Sequence, residues 1–229
     1  VERVKHDWQP RSLPQLVDLK KSLLLVDDPL GDARRSLFAW GGQAAKAKDG
    51  RMFAHDETRM SWGDTRHHFR GDFVCEVAAS TVTGPQSGWG IAVIDPGREK
   101  EKDLKGVEIL LNSDGQLRVQ PSMFVFHDTL KIKPMGPMAV PSFKKNGSNS
   151  LTVIVRGGQT LEIFVNGIEA CEPIRLPHSL DKPHLHLAST GGAKGSAVAF
   201  ETFKVWSLLP QSPWPANAME ERRLPRPDF

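Results

Sequence analysis

The stretch SLTVIVRGGQTLEIFVNGIEACEPIRL, residues 150–176, constrains the fold more than any other part of the chain. Its apolar residues alternate along two runs, and a period of two is typical of strands with one buried face. Gly157-Gly158 and Asn166-Gly167 separate these runs, and both pairs tolerate the positive φ of a two-residue hairpin turn. The stretch therefore predicts an antiparallel meander, with a third strand near Ile168–Ile174.

Short apolar runs bounded by turn residues continue through most of the chain. They predict about twelve strands and no helix, which is typical of a two-sheet sandwich or jelly roll. Phe73, Cys75 and Val77 are expected on one buried face, and Trp206 in the core. A further hairpin is expected across Ser113-Asp114-Gly115. The runs that carry these predictions are SLLLVDD, DFVCEV, SGWGIAVID, KGVEILLNSDGQLRV, KPHLHLAS and SAVAFETFKVWSL.

Proline marks both ends of the sandwich. Pro10 and Pro14 oppose a regular helix, so residues 1–20 are predicted to form an extended N-terminal arm. Residues 21–208 are predicted to form the jelly-roll sandwich, and residues 209–229 a proline-rich C-terminal tail. The tail is interpreted as a linker, an interaction segment or a strap over the sandwich.

Composition and charge exclude several classes of function. The chain has 229 residues, of which 39% are hydrophobic, which suits one globular domain with tails. With 30 basic and 27 acidic residues the surface charge is nearly balanced, and the short basic runs are interrupted by acids and prolines. No nucleic-acid partner is therefore expected. No run of 18 apolar residues occurs, so no membrane span is expected.

The two cysteines leave the redox compartment open. Cys75 and Cys171 both lie in strand-like runs. A disulfide between them would indicate an oxidising compartment, whereas two separate buried thiols would not. The chain begins with Val rather than Met, which is consistent with a processed or excised chain.

Five segments follow one another in an order that resembles a known fold family. GDFVCEV, GWGIAVID, GVEILLNSDGQLRV, NSLTVIVRGGQTLEIFVNGIEACEPI and AVAFETFKVWSL are similar to the strands of concanavalin A-like and laminin-G-like jelly rolls. The nearest likeness is to extracytoplasmic modules of planctomycete-type bacterial proteins, which often accompany Ser/Thr kinases. The related 3-keto-disaccharide hydrolase domains share this layout. The resemblance implies an all-β sandwich of two antiparallel sheets in an extracytoplasmic protein, periplasmic or secreted.

The resemblance also raises the question of catalysis. Laminarinase-type enzymes of this fold carry E-x-D-x-x-E on one strand, which places paired carboxylates on one face, and no such strand occurs here. Gly106-Val107-Glu108 matches the G-x-E strand of the keto-glycoside hydrolases, but Asn112 stands where an acid is expected. Glu108 is interpreted as an exposed residue on a strand face, with a ligand-contacting or catalytic carboxylate as the alternative. A non-catalytic role is favoured, and catalysis stays open.

Aromatic residues beside glycines are the candidate ligand-binding groups. Trp62 and Trp89 lie at strand ends, where an indole ring can stack on a sugar, assisted by Arg66 or His68. Core or edge packing of both tryptophans is nevertheless the favoured interpretation, and sugar stacking is the alternative. Glu108 completes the candidate site.

Metal and cofactor sites receive little support. His184 and His186 share a strand face, but no third ligand is identifiable, so no metal site is predicted. No cofactor is predicted. Calcium is the remaining alternative, in the loops VIDPGREKEKD and LNSDG.

The arms carry the candidate partner-binding residues Trp8, Trp214 and Phe229, since large aromatics on extended proline-rich segments can anchor in a pocket. The sequence thus favours a recognition or assembly module that binds a glycan or a protein partner. A glycoside-processing enzyme and a purely structural subunit of a larger assembly are the alternatives.

Overall fold

A computed structural model describes residues 8–31, 36, 38–40, 45–49, 51–56, 61–64, 68–83, 88–95, 105–122, 133–190 and 196–208. The described residues contain one helix and sixteen strands, which is more than the twelve strands expected. They are α1 Leu13–Leu16, β1 Leu23–Asp28, β2 Ala39–Trp40, β3 Ala45–Lys48, β4 Arg51–Asp56, β5 Ser61–Asp64, β6 Phe73–Thr83, β7 Gly88–Asp95, β8 Lys105–Asn112, β9 Gln116–Pro121, β10 Met135–Ala139, β11 Asn149–Arg156, β12 Thr160–Val165, β13 Ile168–Glu169, β14 Ile174–Arg175, β15 His184–Thr190 and β16 Ser196–Ser207.

The strands form two antiparallel sheets that pack face to face, which confirms the predicted all-β sandwich. Sheet A has the order β13-β12-β11-β6-β16-β4-β3, with β1 added on β16 and β14 on β12. Sheet B has the order β10-β9-β8-β7-β15-β5-β2. None of the described residues forms a helix with the length and apolar content to cross a membrane.

Alternating apolar residues of both sheets fill the space between them. Phe73, Cys75 and Val77 of β6 are buried in this core, as the sequence predicts. Sheet B contributes Trp89 of β7, whose ring meets the ring of Phe200 edge to face, with 6.5 Å between centroids. Burial of such large side chains is the dominant favourable term in folding a sandwich of this kind.

The predicted turns are present, with one difference in length. Asn166 and Gly167 have φ values of 51° and 78° and join β12 to β13 as a two-residue hairpin, as predicted. Gly157 and Gly158 also have positive φ. Their loop contains three residues rather than two, however, because Arg156 pairs with Thr160. The predicted third strand is divided into β13 and β14, which both pair with β12.

The described part of the N-terminal arm lies against the outer face of sheet A. We call residues 8–20 the strap. Its helix α1 includes Pro14, contrary to the expectation that proline would exclude a helix. Pro14 lies in the first turn, where the backbone N–H that it lacks would have no intrahelical acceptor. Leu13 and Val17 are buried against Val74, Ile154 and Phe164 of the sheet.

Trp206 lies beneath the strap rather than in the main core. It is half-buried and packs beside the cluster of Leu13, Val74 and Phe164. Its position in β16 places it on the outer face, because its neighbours Val205 and Ser207 are buried. The expectation that Trp206 belongs to the main core is therefore wrong.

An ion pair and backbone hydrogen bonds hold the strap in place. Arg11 Nε donates to Glu169 Oε2 at 3.0 Å, and Arg11 Nη2 donates to Glu169 Oε1 at 2.5 Å. The Glu169 side chain is fully buried, whereas that of Arg11 is 40% exposed. The backbone N–H of Leu13 donates to the carbonyl of Gly167 at 2.8 Å. The strap is thus tied to the β12–β13 hairpin.

Both cysteines are free thiols in buried positions. The two alternatives left open by the sequence are thereby resolved in favour of separate thiols. Burial raises the pKa of the Cys171 thiol to about 11, so this residue stays protonated near neutral pH.

The Asn166-Gly167 turn allows a test of backbone strain. An added Cβ at Gly167 would meet no atom within 4 Å, so its cost comes from the positive φ alone. We expect Gly167→Val to lower the free energy of unfolding by about 1–3 kcal/mol, measured by urea denaturation. Gly147→Val is the matched control, because Gly147 is exposed, has no positive φ, and a Cβ there would make only an ordinary contact with Lys144 at 3.9 Å. Equal stability of the two variants would reject the assigned turn.

The Arg11–Glu169 pair allows a test of the strap. Arg11→Ala leaves the buried Glu169 carboxylate without its two guanidinium donors, and we expect a loss of about 1–2 kcal/mol after allowing for solvent screening of the exposed arginine. Lys21→Ala is the control, because the pair of Lys21 with Asp18 is exposed. A loss no greater than that of the control would show that the ion pair does not hold the strap.

Candidate functional site

The outer face of sheet B carries a row of polar side chains on β8 and β9. Val107, Ile109 and Leu111 face the core, so Glu108 and Asn112 point to the opposite side. On β9, Leu117 and Val119 are core residues by the same alternation. Their neighbours therefore face outward, and they are Gln116, Arg118 and Gln120.

All of these side chains except that of Glu108 line a pocket of about 330 Å³. We call it the β8–β9 pocket. Its lining combines amides, one guanidinium and one carboxylate with the apolar side chain of Leu110 and the bare backbone of Gly88. The lining residues are Gly88, Leu110, Asn112, Asp114, Gln116, Arg118 and Gln120.

Asn112 shapes one end of the pocket by organising the turn between β8 and β9. Its Oδ1 accepts hydrogen bonds from the backbone N–H groups of Asp114 at 3.0 Å and Gln116 at 2.9 Å. These two bonds fix the orientation of the amide, because only the oxygen can accept. Its Nδ2 donates to Gln116 Oε1 at 3.4 Å. The predicted hairpin across Ser113-Asp114-Gly115 is confirmed, and the side chain of Asn112 stabilises its turn.

Glu108 is buried, not exposed. Only 1% of its surface is accessible, so its interpretation as an exposed strand residue is wrong. Its Oε2 accepts from Gln120 Nε2 at 3.2 Å, and its Oε1 accepts from Ser122 Oγ at 3.1 Å. Hydrogen bonds of this kind stabilise a carboxylate that has been removed from water.

Glu108 lies in one cross-strand row with a histidine. Glu108 pairs with Ala92 of β7, and Ala92 pairs with His186 of β15. Two strand spacings separate Glu108 from His186, or about 10 Å between backbones. Ala92 between them is fully buried, as Glu108 is, so this part of the row lies beneath the surface.

The described side chains on this face do not provide a pair of carboxylates. The next outward position on β8, about 7 Å along the strand, is Leu110. Retaining glycosidases need two carboxyl groups about 5–5.5 Å apart, and inverting enzymes about 6.5–9.5 Å. Asp114 lies in the turn beyond Asn112, six residues from Glu108.

His68 and His184 are brought together beside this row. Their ring centroids are 4.0 Å apart, edge to face, and His68 Nδ1 lies 3.0 Å from the carbonyl oxygen of Lys182. Among the described residues, no three His, Cys, Asp or Glu side chains are grouped in a way that could hold a metal ion. Of the two loops considered for calcium, residues 96–104 lie outside the described residues.

The aromatic candidates do not form a platform. Trp89 is 1% exposed and belongs to the core, so its proposed stacking on a sugar is wrong. It alternates with Ile91 and Val93, and this period is the signal that assigns it to the core. Trp62 is described by its backbone alone, which pairs with Ala188.

The structure does not test the remaining candidate residues for ligand or partner binding. Arg66, Trp214 and Phe229 lie outside the described residues. Trp8 is half-buried at the start of the strap, and its indole Nε1 is buried without a hydrogen-bond partner in the described part of the chain.

Sequence reasoning missed the three outward residues of β9. Gln116, Arg118 and Gln120 alternate with Leu117 and Val119, so their shared face was readable from QLRVQ. The short hairpin between β8 and β9 then places these residues beside the outward residues of β8. The signal was therefore present, but a search for carboxylates and aromatics passes over amides.

Comparison with known proteins yields structural neighbours. No family model matches the chain, and no curated protein matches it. Solved structures do: the GlcNAcα1-4Gal-releasing endo-β-galactosidase from Clostridium perfringens aligns with a TM-score of 0.61 at 10% identity, covering 82% of this chain. The chain spans 63% of that enzyme's length.

Two further neighbours align over nearly their whole length. SCLam, a non-specific endo-β-1,3(4)-glucanase from family GH16, has a TM-score of 0.58 at 10% identity, with 87% of this chain and 94% of that chain covered. The carbohydrate recognition domain of Emp46p has a TM-score of 0.58 at 14% identity, with 81% and 97% covered.

The protein has the concanavalin A-like jelly-roll fold. At these identities the likeness shows the fold alone. The predicted resemblance is confirmed at this level. In this jelly roll, the β8–β9 pocket lies on the outer face of one sheet and the strap covers part of the outer face of the other.

Proposed function

We propose that this protein is a non-catalytic module that binds glycans in the β8–β9 pocket. The observation that carries the proposal is the composition of the lining, in which polar side chains surround Leu110 and the backbone of Gly88. Sugars present hydroxyl groups at their rim and C–H groups on their faces. Amide and guanidinium groups can bind the hydroxyls, while an apolar floor accepts the ring face.

The structural neighbours support this proposal at the level of the fold. A galactosidase, a glucanase and a carbohydrate recognition domain share the sandwich, and each acts on or recognises a carbohydrate according to its description. An extracytoplasmic location, periplasmic or secreted, belongs to the same proposal. The more specific resemblance to planctomycete-type extracytoplasmic modules is also part of this proposal.

A glycoside-processing enzyme is the second candidate. The observation that favours it is the row of Glu108, Ala92 and His186, which places a buried carboxylate and an imidazole on the same face of sheet B. Both are residue types that act in general acid–base catalysis. The lack of a carboxylate partner near Glu108 on β8 favours binding over hydrolysis by the two-carboxylate route. A protein partner held by Trp214 or Phe229 stays a prediction.

Glycan binding is tested by screening the purified chain against a library of neutral and acidic oligosaccharides, followed by calorimetry of those that bind. We expect Gln116→Ala to weaken binding roughly 3- to 10-fold, the equivalent of one neutral hydrogen bond. Gln9→Ala is the matched control, since Gln9 is exposed on the strap beside the other sheet. Wild-type protein that binds no glycan, or binding that Gln116→Ala leaves at full strength, would refute the assigned site.

Catalysis is tested on the oligosaccharides that bind and on common β-glucans, by chromatography of the products. We expect no turnover by the wild type, because the paired carboxylates of the two-carboxylate mechanism are missing from β8. Turnover that is lost in Glu108→Gln, with melting temperature retained, would establish the enzyme instead. Glu172→Gln, at an exposed position outside the pocket, is the control for a change of charge.

A further inference from the structure

Arg118 lines the β8–β9 pocket without an acidic partner among the described residues, unlike Arg11, Arg51 and Arg156. Arg11 pairs with Glu169, Arg156 with Glu162, and Arg51 with Glu201. The Arg118 side chain forms no ion pair or hydrogen bond with any described residue, although it lies in the middle of β9 and lines the β8–β9 pocket. Its five N–H donors are therefore available to a ligand.

The amides beside Arg118 add further donors. Gln116 Oε1 accepts from Asn112 Nδ2, which leaves the Nε2 donors of Gln116 for a ligand. Asn112 Oδ1 is occupied by two backbone N–H groups, so this side chain can offer only N–H. Gln120 uses one N–H on Glu108 and retains one donor and its carbonyl oxygen.

Acceptors in the lining are few by comparison. Glu108 accepts from Gln120 and Ser122 and is buried. Asp114 is the one carboxylate among the lining residues, and it is exposed in the turn at the end of the pocket. A ligand that matches this lining must supply more acceptors than a neutral sugar hydroxyl does, because each hydroxyl both donates and accepts.

We propose that the β8–β9 pocket selects acidic glycans, with Arg118 binding the carboxylate or sulfate group of the sugar. This inference rests on the proposed function and adds the chemical class of the ligand. A guanidinium binds a planar or tetrahedral oxyanion through two parallel hydrogen bonds, which are stronger than bonds to neutral hydroxyls. Gln116 and Asn112 then donate to the remaining oxygens or to neighbouring ring substituents.

The test uses oligosaccharides in matched pairs, so that only the acidic group differs. Uronate pairs are glucuronan with glucan, galacturonan with galactan, and mannuronan with mannan, each pair with the same linkage and anomeric configuration. The sulfate pair is a sulfated galactan with its desulfated form. Affinity is measured by calorimetry at low and at physiological salt. We expect the acidic member of at least one pair to bind ten or more times more tightly, with a preference that shrinks as salt rises.

Three variants assign the effect to the pocket. Arg118→Ala should weaken binding of the acidic member roughly 10- to 100-fold, the equivalent of a charge-assisted contact, and change the neutral member little. Arg118→Lys should retain part of the preference, because it keeps the charge without the planar fork. Asp114→Asn should tighten binding of the acidic member. Arg175→Ala, an exposed arginine on sheet A, is the matched control.

The outcomes separate the inference from the proposed function. Equal affinity within every pair, with binding reduced by Gln116→Ala, overturns acidic selectivity and leaves glycan binding intact. Acidic preference that survives in Arg118→Ala, with melting unchanged, overturns the role of Arg118. Absence of binding to every member overturns both. Whether uronate or sulfate pairs show the preference identifies the anion.

Discussion

The pairing register of β8 with β7 and β9 is the constraint on which the rest of the structure depends. Three core residues, Val107, Ile109 and Leu111, hold β8 against the opposing sheet. Because side chains alternate, a slip of one residue would turn Glu108 inward and Ile109 outward. The core and the pocket are thus two consequences of one register, and neither can be changed without the other.

The sandwich uses the outer faces of its two sheets differently. On sheet A, apolar residues such as Ile154 and Phe164 are covered by the strap, which buries surface that would otherwise meet water. On sheet B, the outward residues of β8 and β9 are polar and leave a pocket. The separation means that the apolar packing of the strap and the polar chemistry of the pocket lie on opposite sides of one core.

Much of the fold was predictable because its signals are local. Turn pairs such as Asn166-Gly167 and the alternation of β11 and β12 depend on neighbouring residues alone, and both appear as expected. Trp206 was assigned to the core although Phe203 and Val205 alternate with it and are buried, because the strap that packs beside it on the outer face is distant in sequence. The prediction from Pro14 was wrong because proline is tolerated in the first turn of a helix and disrupts only the turns that follow.

The candidate site was less predictable for two reasons. Some of its contacts join residues that are distant in sequence, and its amide residues were not among the residue types considered as ligand-binding groups. Burial of Glu108 requires Gln120 and Ser122, which only the folded hairpin brings to its carboxylate. His68 and His184 are separated by more than a hundred residues, yet their rings touch. Trp89 is the exception, because its alternation with Ile91 and Val93 already indicates that its indole belongs to the interior.

The attachment of the strap has a consequence for the order in which the chain acquires structure. Arg11 and Glu169 are 158 residues apart, so their contact closes a long loop. The conformational entropy lost on closing this loop must be offset by contacts that have already formed. The acceptor of the Leu13 N–H, the carbonyl of Gly167, exists in place only once the hairpin has folded. The strap, which precedes the sandwich in the chain, is therefore among the last described segments to dock. Since the strap contacts one outer face, it can also open by local unfolding while the remaining sandwich stays intact.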